Sequence, residues 1–401
     1  MFDIINKVIV MRDILHCDLN SFFASVECLK NPELKKVPMA VAGDPKERHG
    51  IILAKNEIAK KYGIYTPETV YSALKKCPKL VLVKGNYADY RKYSRLVNNI
   101  YLKYTDRVEP FGIDESFLDV TSSLKFFNMS SFELANKIRE EVKNEIGLTI
   151  SVGVSFNKSL AKLGSDLKKP DAVSKIGYEN FREIIYPLPV NMLLYVGKSA
   201  YNTLKQLGIN TIGDLATYNK NRLIKKMGKL GQIIYNYANG IDYEEVRKFD
   251  DKTLPKSVSK GITFAKDIEN KEVVIKYIKK LSDVVALGLR KDNLRCTTIN
   301  ISVKYSDFSV INRQKKIIST DLFQDISKAA IELFNLNYNG GKVRAITIGV
   351  TDLKSNMDEV QLSIFDKQDE ENNIKLEKIS RKMDDLKQIY GEDKINFGSI
   401  I

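Results

Sequence analysis

The sequence predicts an α+β chain of more than one domain, on three observations. At 401 residues it is long enough for two or more separate cores, since domains run to about 100–200 residues each. Short apolar runs with strand character are followed directly by amphipathic helices in the first part of the chain. A polar, charged stretch, YEEVRKFDDKTLPKSVSK (residues 243–260), then divides these from a second set of strands and helices.

Apolar residues make up 43% of the chain, as in folded globular proteins, and Lys plus Arg outnumber Asp plus Glu by 64 to 50. The resulting charge of +14 favours polyanionic partners, nucleic acid first. No stretch approaches the ~18 unbroken apolar residues of a membrane span. The N-terminal MFDIINKVIVMRD is charged too soon for a signal peptide, so a cytoplasmic protein is expected. Cys17, Cys28, Cys77 and Cys296 show no CxxC pairing, and only His16 and His49 accompany them. That argues against zinc and against a disulfide framework, with Cys17 and the histidines read as structural. Metal chemistry here rests on carboxylates and hence on a hard ion such as Mg²⁺.

Residues Asp13 to Leu19 read as a short buried strand ending on Asp18, with Asn20 or Ser21 capping the next helix. Phe22, Val26 and Leu29 form the apolar stripe of that helix. Phe23 lies off the stripe, either packing under a neighbouring element or lining the site to which Asp18 belongs. In VEPFGIDESFLDV (residues 108–120), Gly112 marks a turn and Ser116 to Val120 a strand, placing Asp114 and Glu115 at a hairpin bend. Adjacent acids in a turn are ordinarily solvated. Carboxylates at the ends of two apolar strands in a basic protein suggest instead convergence around a divalent cation.

In LTISVGVSFNKSLAKLGSDLKKP (residues 148–170), Leu148, Ile150, Val152 and Val154 alternate with small polar residues, predicting a half-buried strand. The helix after it turns Leu160, Leu163 and Leu167 inward and stops before Pro170, while Lys158, Lys162 and Asp166 share another face. VGKSAYNTLKQLGINTIGDLA (residues 196–216) predicts two helices broken at Gly208, the second capped by Thr211 with Asp214. Beyond the charged divide, strands are expected in GITFAKDI, TTINISVKYSDF and KVRAITIGVTDL, with helices near Val273–Leu289 and Ser327–Leu336. Ile379, Met383, Leu386 and Tyr390 predict one more amphipathic helix.

Four of these blocks, HCDLNSFFASVE, GIDESFLDVT, SVGVSFNKSLAKLGSDLKKP and LLYVGKSAYNTLKQLGINTIGDLA, resemble in order and spacing the Y-family, translesion DNA polymerases of the DNA polymerase IV type. The resemblance spans roughly residues 12–350. It implies a right-hand polymerase with a ferredoxin-like palm (1–29 and 85–180), small fingers (30–84) and a helix-hairpin-helix thumb (181–245). A linker (246–256), a C-terminal α+β little finger (257–352) and a charged tail (353–401) would follow.

By that resemblance Asp18, Asp114 and Glu115, with the Leu19 carbonyl, would hold two Mg²⁺ ions for phosphoryl transfer. Asn20 stands where the family often has a second Asp. Phe23 matches the steric gate that excludes a 2′-hydroxyl, Phe22 would lie beside the nucleotide, and Lys162 matches the triphosphate lysine. GIILAKNEIAKKYGI departs from the family's fingers at Ala54, Glu57 and Lys60. Glu57 is expected to point away, leaving Lys55 and Lys60 as phosphate contacts, nearer the polymerase V catalytic subunit. Gly197, Lys198 and Gly208 in the hairpin, and Lys260, Arg290, Lys291, Arg295 and Lys304 beyond it, are candidate DNA contacts.

QLSIF (residues 361–365) resembles the sliding-clamp-binding peptide, through Gln361, Leu362, Ile364 and Phe365. The implied activity is low-fidelity, template-directed addition of deoxynucleotides to a primer, past damaged bases and without proofreading, by a monomer that binds primer-template DNA and the clamp and no membrane. Two other classes share part of the pattern. A different palm-type nucleotidyl enzyme would lack the thumb and little finger, and a non-catalytic DNA- and clamp-binding accessory protein need not keep Asp18, Asp114 and Glu115 together.

Overall fold

The structure, a computed structural model, describes residues 12–44, 50–251, 254–355, 370–391, 394, 395 and 398. In chain order it contains β1 (Ile14–Leu19), α1 (Phe22–Lys30), β2 (Met39–Ala42), β3 (Ile52–Lys55), α2 (Glu57–Lys61), α3 (Val70–Lys76) and β4 (Val81–Lys84). Next come α4 (Tyr87–Tyr101), β5 (Val108–Pro110), β6 (Glu115–Asp119), α5 (Leu124–Phe127), α6 (Ser131–Ile146), β7 (Ile150–Ser155), α7 (Lys158–Leu167) and β8 (Val173–Ile176). Then follow α8 (Phe181–Ile185), α9 (Lys198–Gln206), α10 (Ile212–Thr217), α11 (Lys220–Ala238), β9 (Ser257–Ile268) and α12 (Lys271–Lys291). The last are β10 (Leu294–Tyr305), β11 (Val310–Thr320), α13 (Phe323–Asn337), β12 (Val343–Ser355) and α14 (Glu370–Tyr390). They fall into two compact units that divide near residue 252.

The first unit is built on a five-stranded sheet in the order β5-β6-β1-β7-β8, with β1 between two antiparallel neighbours. A central strand must be apolar on both faces, and all six residues of β1 are buried, Asp18 included. The half-buried reading of β7 is corrected, because every residue from Ile150 to Ser155 is buried. Its polar-looking face is small so that α7 can lie against it: a Cβ on Gly153 would stand 1.9 Å from the Ala161 carbonyl oxygen. Capping of α1 is corrected too. Ser21 holds the N-cap position with φ of 48° and makes no side-chain cap bond, while Asn20 Nδ2 donates to Ser151 Oγ at 2.9 Å.

A small three-stranded sheet, β3-β2-β4, with α2 and α3 against it, follows the first helix. Past α7, the hairpin of α9 and α10 turns at Gly208, whose φ of 77° suits glycine. The Thr211 and Asp214 capping box starts α10 as expected. Of the stretch expected as a linker, the first residues are anchored on the large sheet. Val246 is buried with Ile14, Phe117 and Ala161, and the Arg247 backbone N–H donates to Glu109 Oε2 at 3.1 Å. Lys158, which the helical pattern sets on the face of Lys162 and Asp166, is buried against Glu109 at 3.0 Å.

The second unit is a four-stranded antiparallel sheet, β11-β10-β12-β9, with α12 and α13 packed on one face. β11 (VINRQKKIIST) was not expected from the sequence; as an edge strand it is polar and charged, and apolar alternation does not reveal it. The tail helix α14 forms, but it docks on its polar side. Ser380 and Lys387 are buried, whereas Ile379, Leu386, Ile389 and Tyr390 are exposed.

Candidate active site

Strand pairing brings the acidic residues together. Asp18 and Glu115 are direct partners across the β1–β6 ladder, and the Leu19 N–H donates to the Asp114 carbonyl at 2.9 Å. All three acids line one open cavity of about 550 Å³ with Leu19, Phe22, Phe23, Lys55, Lys60 and Lys169 among its walls. Behind it, Lys162 Nζ donates to Glu115 Oε1 at 2.9 Å and lies 3.4 Å from Asp18 Oδ2. Lys169 Nζ donates to the same Asp18 oxygen at 2.8 Å. His16, fully buried, faces Glu115 Oε2 at 3.4 Å, and its Nδ1 meets Ser165 Oγ at 2.9 Å.

These contacts separate the carboxylates electrostatically. Burial pushes the Asp114 pKa up, and the charges of Glu115 and Asp18 push it further. Burial acts the same way on Glu115, but His16 and Lys162 outweigh it and hold the carboxyl near about 2. Lys162 and Lys169 are both desolvated, yet their acidic partners raise their pKa values overall. Asp114 is thus the carboxylate whose charge its neighbours oppose.

The aromatic pair divides as the geometry allows. Phe22 is buried in the core, 3% exposed, with one edge at the cavity. Phe23 stacks on Tyr90 with centroids 4.2 Å apart and planes 10° from parallel, and the Tyr90 hydroxyl donates to Glu27 Oε1 at 2.8 Å. Opposite them, Lys55 Nζ donates to Thr66 Oγ1 at 3.2 Å. Burial and the nearby Lys60 lower the Lys55 pKa. Glu57 is not among the cavity-lining residues; it accepts from Lys60 at 2.6 Å and Ser21 at 3.3 Å.

The sequence reading singled out Lys162, which sits behind the acids, and missed Lys169, which lines the cavity. Its signal was the KKP run that ends the helix. Among the described residues no three acidic, imidazole or thiol groups already close on one point as metal ligands do. The donor set nevertheless fits a hard divalent ion: three carboxylates share one cavity, ammonium groups balance two of them, and Asp114 carries uncompensated charge.

In the hairpin, Gly197 is the N-cap of α9 and exposed Lys198 its first residue. In the second unit Lys260 is exposed on β9, and Lys304 lies over the Phe308 ring at 4.9 Å. Arg290 is held by Asp384 through two bonds of 2.6 and 2.9 Å and donates to the Asp321 carbonyl. Arg295 likewise donates to Glu377 at 2.6 Å. Both are occupied by α14. The sequence missed the uncovered face of the four-stranded sheet, where Ser257, Ser259, Asn300, Ser302, Gln314 and Thr347 line a shallow groove of about 430 Å³. Gln361, Leu362, Ile364 and Phe365 lie outside the described residues. No helix among the described residues is long and apolar enough to cross a membrane.

The impB/mucB/samB family matches residues 17–166, its C-terminal domain residues 255–364, and the DNA polymerase-iota thumb domain residues 195–242. The DNA polymerase IV of Acetivibrio thermocellus is 44% identical over 392 residues, 97% of this chain and 98% of that protein. DNA polymerase IV 1 of Bacillus subtilis is 34% identical over 397 residues, 97% and 93% respectively. The solved Y-family DNA polymerase chimera Dbh-Dpo4(243-245)-Dbh aligns with a TM-score of 0.76 at 25% identity, covering 86% of this chain and all of that one.

Proposed function

Because this chain belongs to the Y-family DNA polymerases of the DNA polymerase IV type, and is a DNA-directed DNA polymerase of right-hand fold that uses DNA, nucleotides and divalent metal, we propose how its own residues divide the work. Asp18, Asp114 and Glu115, with the Leu19 carbonyl, hold two Mg²⁺ ions. The observation that carries this is the convergence of three carboxylates, from β1, from β6 and from the bend just before β6, in one cavity walled by Phe22 and Phe23. Bound there, the ions supply charge neutralisation at the primer 3′-hydroxyl and the triphosphate.

Lys169, Lys55 and Lys60 take the triphosphate, and Lys162 holds Glu115 in place from behind, a change from the role the resemblance implied. Phe23, backed by Tyr90, closes the space that a 2′-hydroxyl would need. The segment facing the cavity is small, three short strands and two short helices. It offers little surface for checking a base pair, which supports low fidelity and bypass of damaged bases.

Primer-template DNA is gripped without sequence reading by the hairpin at Gly197, Lys198 and Gly208 and by Lys260 and the open sheet face of the second unit. We keep the domain division expected from the sequence as our proposal, with the linker starting after the anchored Val246 and Arg247. Gln361, Leu362, Ile364 and Phe365 dock a sliding clamp, which raises the enzyme's effective concentration at the primer end. We assign it as a cytoplasmic monomer. The test is primer extension with Mg²⁺ on undamaged and lesion-bearing templates, with Asp114→Ala alongside. Extension through the lesion by the wild type, and none by the variant with DNA binding retained, is expected; extension by Asp114→Ala rejects the metal role.

A further inference from the structure

The small sheet and its helices carry a second surface that the reaction leaves unused. Tyr62, Tyr65 and Tyr71 are 39%, 57% and 71% exposed there, a cluster of large rings that water alone does not favour. Each has an ammonium over its ring: Lys79 at 5.6 Å from Tyr62, Lys76 at 4.2 Å from Tyr65 and Lys75 at 4.5 Å from Tyr71.

The pair at Tyr65 is built rather than incidental. Lys76 Nζ donates to Glu68 Oε2 and to the Gly63 carbonyl, both at 2.8 Å. Glu68, its side chain 2% exposed, also accepts the Tyr65 backbone N–H at 2.7 Å and the Ser72 hydroxyl at 2.9 Å. One buried carboxylate therefore fixes both the tyrosine and the cation beneath it.

The surface is continuous with the cavity. Thr66, next to Tyr65, and Leu53, 41% exposed, both line the cavity wall. From that rim the rings run from Tyr65 in the loop to Tyr71 on α3, with Tyr62 at the end of α2. Residues 60–79 carry five lysines against one glutamate, and that glutamate is the buried one. Exposed rings interleaved with cations, leading away from a nucleotide site, match a single strand: its bases have stacking faces and its backbone is anionic.

We propose that this surface binds the unpaired template strand ahead of the cavity, with bases stacked on Tyr65 and Tyr71 and phosphates held by Lys75 and Lys79. The assignment rests on the cavity being the nucleotide site, since a template leaving it crosses the rim at Thr66.

The test compares binding of the full-length enzyme, by fluorescence anisotropy, to primer-templates with one or eight unpaired template nucleotides. Wild type gains about fivefold or more in affinity from the longer overhang. Tyr65→Leu with Tyr71→Leu loses that gain, and Tyr65→Phe with Tyr71→Phe, which keeps the rings, retains it. An equal overhang gain in the leucine pair, or none in the wild type, overturns the proposal, as does a surface that answers only to a protein partner. The nucleotide-site reading is checked separately by extension of the one-nucleotide template, which Asp114→Ala abolishes and the leucine pair leaves intact.

Discussion

Phe23 lies face to face on Tyr90, with centroids 4.2 Å apart, and Tyr90 is itself buried and tied to Glu27 by its hydroxyl. The ring at the cavity is therefore fixed on one side, and exclusion by clash works only if the excluding group cannot yield. Phe23→Ala is expected to raise ribonucleotide incorporation relative to deoxynucleotide by about 10- to 200-fold. Tyr90→Leu, which removes the support but leaves the ring, should give a smaller rise. Competition assays with both sugars measure this, and unchanged discrimination in both variants would dismiss the gate.

Asp114 links activity to stability with a definite sign. Its pKa is raised in the folded protein by burial and then by Glu115 and Asp18, so its ionisation opposes folding once pH rises above the ordinary carboxyl value of the unfolded chain. In metal-free protein at pH 7, Asp114→Asn should therefore raise Tm. The gain should vanish as pH falls below ~3.9, where the unfolded carboxyl is also protonated. Glu115 has the opposite sign. Its pKa falls from 4.5 to about 2, so its contribution is present above the unfolded value and lost as pH drops toward 2. Glu115→Gln should therefore lower Tm at pH 7, and thermal melts of the two variants moving in the same direction would refute the arrangement.

Much of this site was legible because apolar runs mark strands and strands have ends. Asp18 and Glu115 sit at the ends of runs that pair in register; the pattern marks those ends and suggests convergence, and the family resemblance supplies the three-carboxylate site. Lys169 was not legible, since it lies past the end of α7, where helical spacing no longer says which way a side chain points. Arg290 reads as a free cation, yet its partner Asp384 is 94 residues away. A charge pair formed between distant elements leaves no local trace. Ser151, Gly153 and Ser155 read as a solvent face because small polar residues are ambiguous, and only the approach of α7 decides that they are buried.

That approach makes Gly153 a sensitive point. An added Cβ would stand 1.9 Å from the Ala161 carbonyl oxygen and 2.4 Å from the Ser165 nitrogen, both backbone atoms of α7. A helix backbone cannot yield as a flexible side chain can, so Gly153→Ala should cost about 3 kcal/mol or more. The shift would also move Lys162 off Glu115, because both depend on where α7 lies. Urea unfolding together with primer extension reads both effects, and a variant as stable as wild type would contradict the packing.

The tail helix offers a sharper test of what holds an element in place. Its apolar residues Ile379, Leu386, Ile389 and Tyr390 face out, while Lys387 pairs with Asp283 at 3% and 6% side-chain exposure and Asp384 holds Arg290. Docking by ions is costly to break from one side, because removing one partner leaves the other charge buried: about 3–5 kcal/mol. Lys387→Met alone should therefore loosen α14 and lower the stability of the second unit by roughly that amount. Combining it with Asp283→Leu removes the orphaned charge and should restore most of the loss. Amide hydrogen exchange across α12 and α14 would follow both variants. If the double variant is as unstable as the single one, apolar contacts rather than the ion pair hold the helix.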